Sequence, residues 1–191
     1  MSHFTVIAVR CSLGLALLGC GGTTTAAARA EIKHEVSAQE LMRKGNASAQ
    51  IGDMTRAEQY FVLAQRAGAD EHQVVRRLLD VCVADQRYPV ALEYAEQHLR
   101  RHPTDTEVRF VAASLQAAAG ELVSAREMML EVLRARPGWA EAHYALASVL
   151  RQLGDQQELE LADEHDLEYL KLSPTGLYAE AARDRLRRSP R

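Results

Sequence analysis

The 191-residue chain carries 26 acidic against 23 basic residues, a net charge of −3, and 47% of it is hydrophobic. That length and apolar content suit one domain with a core able to stand alone, and the missing basic excess argues against a phosphate-neutralising, nucleic-acid-binding surface. Alanine clusters at Ala112–Ala119 and Ala140–Ala147, aromatics reach only 5%, and period-two runs of β-branched residues are hard to find, so the composition argues against a sheet and favours an all-α fold.

Residues 1–19 read as an export signal. Arg10 supplies a weakly positive start, and the apolar run that follows has secretory-signal length but is too short to span a bilayer. Leu17-Leu18-Gly19-Cys20 resembles a bacterial lipobox; the alternative is an ordinary signal peptide that happens to contain a cysteine. The resemblance implies cleavage before Cys20 and lipidation of its thiol, with two or three acyl chains anchoring where one would bind marginally. Gly21 follows where aspartate marks inner-membrane retention in enterobacterial sorting, so the expected location is the bacterial outer membrane, lipid-anchored and facing the periplasm. Residues 20–36 then form the lipidated cysteine and a flexible tether, about 15 residues spanning roughly 20 Å root-mean-square. Removal of residues 1–19 leaves 22 basic against 26 acidic residues, a charge of −4. Cys82 is then without a thiol partner and reads as a small buried apolar residue.

Residues 37–173 carry a 34-residue period that predicts four helical hairpins, over about 38–70, 72–104, 106–138 and 140–173. Gly52, Gln86, Gly120 and Gly154 mark the turn inside each hairpin; Ala57, Ala91, Ala125 and Leu159 open the second helices; Ala69, Pro103, Pro137 and Lys171 close them. Small residues let paired helices approach, glycine serves a tight turn, and proline stops a helix. Leu41, Gly45, Ala57 and Phe61, then Leu78, Tyr88, Ala91 and Pro103, then Gly120, Ala125 and Pro137, fit one pattern. It resembles the tetratricopeptide repeat, W-x2-L-G-x2-Y followed by A-x3-F and P. The resemblance implies a right-handed α-solenoid of about four helix-turn-helix repeats.

Two departures stand out. The large aromatic at the first position is replaced by Leu41, Val75, Arg109 and His143, and the fourth repeat loses register after Gly154, where Leu159, Asp163 and Asp166 miss the small and apolar positions. A stop at Ser173-Pro174 predicts a last hairpin helix about three residues longer than the others. Its acidic run Glu160, Asp163, Glu164, Asp166 and Glu168 reads as a solvated face. Residues 174–191 form a capping helix and tail, with Leu177, Ala181, Ala182 and Leu186 inward and Arg183, Arg185, Arg187 and Arg188 mostly outward, as a solenoid end requires.

No nucleophile elbow, phosphate loop or zinc-protease motif occurs, so no enzyme activity and no cofactor are expected. His98 and His102 lie four apart on a helix, a spacing that suits a metal ion, but solvated helix-end histidines are far commoner and no metal is expected. The resemblance places ligand-facing residues on the first helix of each repeat: Met42, Arg76, Phe110 and Tyr144, then Asn46, Asp80 and Ser114, and Arg151 further along. This mixed groove suits a helix or an extended segment of another protein. The expected function is therefore a membrane-anchored interaction scaffold or assembly factor in the bacterial envelope, of the pilus, secretion or outer-membrane assembly type. The alternatives are an adaptor regulating peptidoglycan enzymes and a transporter-associated small-ligand binder.

Overall fold

The computed structural model describes residues 36–189. The expected export signal, Cys20, the expected tether up to residue 35 and the last two residues lie outside them. The described residues are 79% helical and contain no strand. Four antiparallel helix pairs follow one another: α1 (Ala38–Gln50) with α2 (Met54–Arg66), α3 (Glu71–Ala84) with α4 (Tyr88–Arg101), α5 (Thr106–Ala118) with α6 (Leu122–Ala135), and α7 (Ala140–Leu153) with α8 (Gln156–Leu172). A ninth helix, α9 (Ala179–Arg188), packs on α8. Each helix packs chiefly on its sequence neighbours, which makes the body a linear stack. Among the described residues, no helix is long and apolar enough to cross a membrane.

Local chemistry sets the boundaries. Ser37, Asp53, Asp70, Asp105 and Asp155 precede helices, and each side chain accepts from a free backbone N–H in the first turn. The hairpin turns of the first three pairs close with the same bond, from the amide two residues past the last turn to the carbonyl five residues back: Asp53 to Ser48 at 2.9 Å, Arg87 to Cys82 at 2.8 Å, Glu121 to Gln116 at 2.9 Å. This closure needs a left-handed residue in the middle. Gly52 and Gly120 supply it at φ +82° and +84°, and Gln86 adopts it at +58°.

The core runs along the stack as alternating small and large residues. Ala57, Ala91 and Ala125 are fully buried where paired helices cross, with Phe61 and Met129 filling the gaps between repeats. Gly45 of α1 exists for this packing. A β-carbon there would stand 2.7 Å from Phe61 Cδ1 and nearer still to Cε1. Cys82 is fully buried in the same cluster, as its helix position predicts.

The last pair departs as its sequence does. α7 runs on to Leu153, so Gly154 (φ +80°) caps it directly. The buried face of α8 is turned back by one residue, to Glu158 and Ala162 instead of Leu159 and Asp163. At 17 residues, α8 is three longer than α4 or α6. One member of the acidic run leaves the solvated face expected of it: Glu160 and Glu164 are exposed, but Asp166 is 0% exposed and pairs with Arg151 Nη2 at 2.9 Å and Arg185 Nη1 at 3.4 Å. These arginines come from 15 and 19 residues away, out of reach of any periodicity within α8.

Candidate functional site

The first helices of successive pairs line one continuous groove. Met42 and Asn46 from α1 face Arg76 and Asp80 from α3 around a hollow of about 330 Å³. Arg76 and Asp80 also border the next cleft, about 500 Å³, whose walls are Leu79 and Val83 of α3, Phe110 and Val111 of α5, and Trp139. The cleft is apolar at its centre and charged at its edge. Phe110 and Trp139 meet at 4.6 Å between ring centroids, and the Arg136 guanidinium lies 4.3 Å over the indole. Arg76 donates to Glu107 at 2.8 Å, and Arg77 to Asp80 at 3.4 Å, on exposed side chains. Val83 is 38% exposed beside them.

Five of the eight residues expected in the groove therefore share it: Met42, Asn46, Arg76, Asp80 and Phe110. Ser114 spends its hydroxyl inside α5, donating to the Phe110 carbonyl at 2.9 Å. Tyr144 and Arg151 are already engaged. Tyr144 stacks on Tyr178 at 4.3 Å, and Arg185 lies over its other side, donating to Tyr144 Oη at 3.0 Å and to Ser148 Oγ at 2.9 Å. Arg151 donates to Asp163 at 2.5 Å and to Asp166. Burial pushes the Asp166 carboxyl above its ordinary value while Arg151 and Arg185 pull it back. Arg185 thus points into the array, contrary to the outward face expected of it. The groove extends over three repeats, and α9 occupies the place of the fourth.

Trp139 is the residue that the repeat pattern does not reach. It sits in the turn between α6 and α7, outside the first-helix positions, and its one available signal is that it is the only tryptophan, set after Pro137-Gly138.

Of the two helix-end histidines, His102 is exposed as expected and His98 is not. His98 is 3% exposed, its Nε2 standing 2.9 Å from Asp105 Oδ2, while His102 turns to Glu71 at 2.6 Å. Burial pushes the Cys82 thiol up to about 11, which makes it a poor nucleophile.

Stacked helix pairs, with a small residue at the crossing of each of the first three and a groove along the first helices, define an α-solenoid of the helical-repeat class. Residues 83–149 match the family model described as tetratricopeptide repeat. Over those residues the chain matches that family, and its body is a right-handed α-solenoid of about four helix-turn-helix repeats with a terminal capping helix. No curated protein sequence matches it. Among solved structures it is similar to YrrB, described as a tetratricopeptide-repeat protein with an unusual peptide-binding site, at 24% identity over 78% of this chain and 75% of that one, TM-score 0.65. A tetratricopeptide-repeat protein from Parabacteroides merdae gives 22% identity over 78% and 58%, TM-score 0.69. MamA from Desulfovibrio magneticus gives 19% over 75% and 80%, TM-score 0.63. At these identities the likeness concerns the fold. Repeats of this family are in general binding scaffolds, not enzymes.

Proposed function

We propose that this protein is a lipid-anchored scaffold of the bacterial envelope, held through Cys20 at the outer membrane facing the periplasm, which captures a segment of another protein in the groove between α1 and Trp139. The observation that carries the reading is the cleft of Val83, Phe110 and Trp139, apolar at its floor and bordered by Arg76, Asp80 and Glu107. An apolar floor with a charged rim fits a peptide whose large side chain enters the cleft while its polar groups meet the edge. The likeness to YrrB, whose description names a peptide-binding site, supports a peptide occupant. The lipobox-like Leu17-Leu18-Gly19-Cys20 supports the anchor. Assembly of pilus, secretion or outer-membrane machinery is the process that best suits such an anchored groove.

The test is affinity purification after cross-linking in the native membrane, comparing wild type, Cys20→Ala and Val83→Glu. Wild type should carry lipid on Cys20 and enrich components of one assembly machine. Val83→Glu should lose them at unchanged melting temperature, because Val83 is partly exposed and its carboxylate would enter the apolar floor. An unchanged partner set for Val83→Glu would remove the groove from the reading. Enrichment of cell-wall synthases or hydrolases would redirect it to peptidoglycan regulation, and an unlipidated wild type would remove the anchor.

A further inference from the structure

Outside the groove, three elements bring ligand-type side chains to one point. His72 stands in the first turn of α3, His98 in the last turn of α4, and Asp105 is the N-cap of α5. His72 Nδ1 lies 2.6 Å and His98 Nε2 2.9 Å from the same oxygen, Asp105 Oδ2, and one ligand atom from each residue lies within 4.8 Å of the other two. We propose that His72, His98 and Asp105 bind a divalent transition-metal ion, zinc foremost, across the junction of the second and third repeats.

The chemistry of the set selects the ion. Two imidazoles and one carboxylate suit zinc and its borderline neighbours, whereas calcium and magnesium prefer all-oxygen shells. Ligands around a tetrahedral ion at about 2.0–2.1 Å stand about 3.4 Å apart. Admitting the ion therefore asks each side chain to yield by less than about 1 Å.

The carboxylate is held from behind, as metal ligands commonly are. Asp105 Oδ1 accepts from the Glu107 and Val108 amides, both at 3.1 Å, which fixes Oδ2 toward the histidines. His98 is buried, and its ring stacks on His102 at 4.5 Å. His102 in turn reaches Glu71 at 2.6 Å, which places a further imidazole and carboxylate at the rim. These residues line an open cleft of about 670 Å³ that gives an ion its way in.

Because the ligands come from three helices, the ion would pin one repeat to the next. The consequence is a melting temperature that rises with the metal, since an ion bound only by the folded state stabilises it by mass action. The inference stands apart from the peptide groove and does not require it.

The experiment titrates cobalt, as a visible probe, and then zinc into the lipidated full chain in detergent, with absorption and calorimetry, alongside the melting temperature. The expected result is one saturable site with the cobalt bands of nitrogen and oxygen ligation, displaced by zinc, and a melting temperature raised by several degrees. His72→Ala should weaken binding at least tenfold without loss of metal-free helicity, since the His72 side chain is 44% exposed. Asp105→Asn should do the same while keeping an acceptor for the α5 amides. His165→Gln, which alters the other histidine pair, should bind as wild type. No saturable binding, or binding undiminished in both His72→Ala and Asp105→Asn, overturns the proposal.

Discussion

Gln86 holds a left-handed backbone, φ +58°, at the place where Gly52 and Gly120 serve the equivalent turns. A β-carbon in that region costs about 1–2 kcal/mol, which the freer unfolded chain of glycine partly offsets. Gln86→Gly should therefore stabilise the protein by about 0.5–1 kcal/mol, read as a higher denaturant midpoint at unchanged slope. His165 makes the opposite kind of residue-level case. His143 Nε2 donates to the Pro137 carbonyl at 2.8 Å, so its Nδ1 is left to accept from His165 Nδ1, 2.9 Å away. A proton added to His165 enters at its Nε2 and leaves this bond in place, but the charge must then be carried in a largely buried ring. Burial first, and the facing His143 second, lower His165 to about 4, with Glu168 opposing weakly. The folded value thus lies below the unfolded one, about 6.5. Above pH 6.5 neither state holds the proton and nothing changes. As pH falls from 6.5 toward 4 the unfolded chain takes the proton first, so stability is lost across that window. With screening allowed for at this part-exposed ring, the loss is about 1–2 kcal/mol. Melting curves at pH 7 and pH 5 should show it, and His165→Gln should lose less over the same interval.

At the scale of the element, α9 is a separate piece tied to the stack through Asp166. Arg185 joins Asp166 to Tyr144 and Ser148, linking α9 to α8 and α7 in one cluster. Arg185→Ala removes these contacts but leaves Asp166 its bond to Arg151. The expected effect is local: amide exchange in residues 179–188 should speed up at least tenfold, about 1.4 kcal/mol of lost protection, while α1–α6 exchange as before. Equal acceleration throughout would show that α9 is no separate element. The length of α8 was legible because Ser173-Pro174 stops a helix by backbone chemistry alone. The burial of Asp166 was not legible, because its partners lie on other helices and ion pairs across helices leave no period in the sequence. The same reason hid the His72–His98–Asp105 cluster, in which the near pair His98 and His102 is visible as i, i+4 but the residue that completes the triangle lies 26 positions before His98.

At the scale of the molecule, the 34-residue period made the stack readable and aligned Met42, Arg76 and Phe110 along one side. It could not show which part of that side stays open, since this depends on how α9 folds back over Tyr144, nor could it reach Trp139 in a turn between repeats. The stack has a mechanical consequence. Stability in such an array is approximately a sum of each repeat and its interface with the next, so damage at one end stays near that end. Deleting residues 173–191 takes Tyr178 and Arg185 away from Tyr144 and leaves the buried ring of Tyr169 uncovered on that side. Hydrogen exchange should then rise in α7 and α8 and fade toward α1–α4, with a lower melting temperature and a broader transition. Peptide capture, if it belongs to the cleft of Val83, Phe110 and Trp139, should survive in the truncated protein at temperatures below this loosening. Loss of capture with α1–α6 still protected would move the binding surface onto α9 itself.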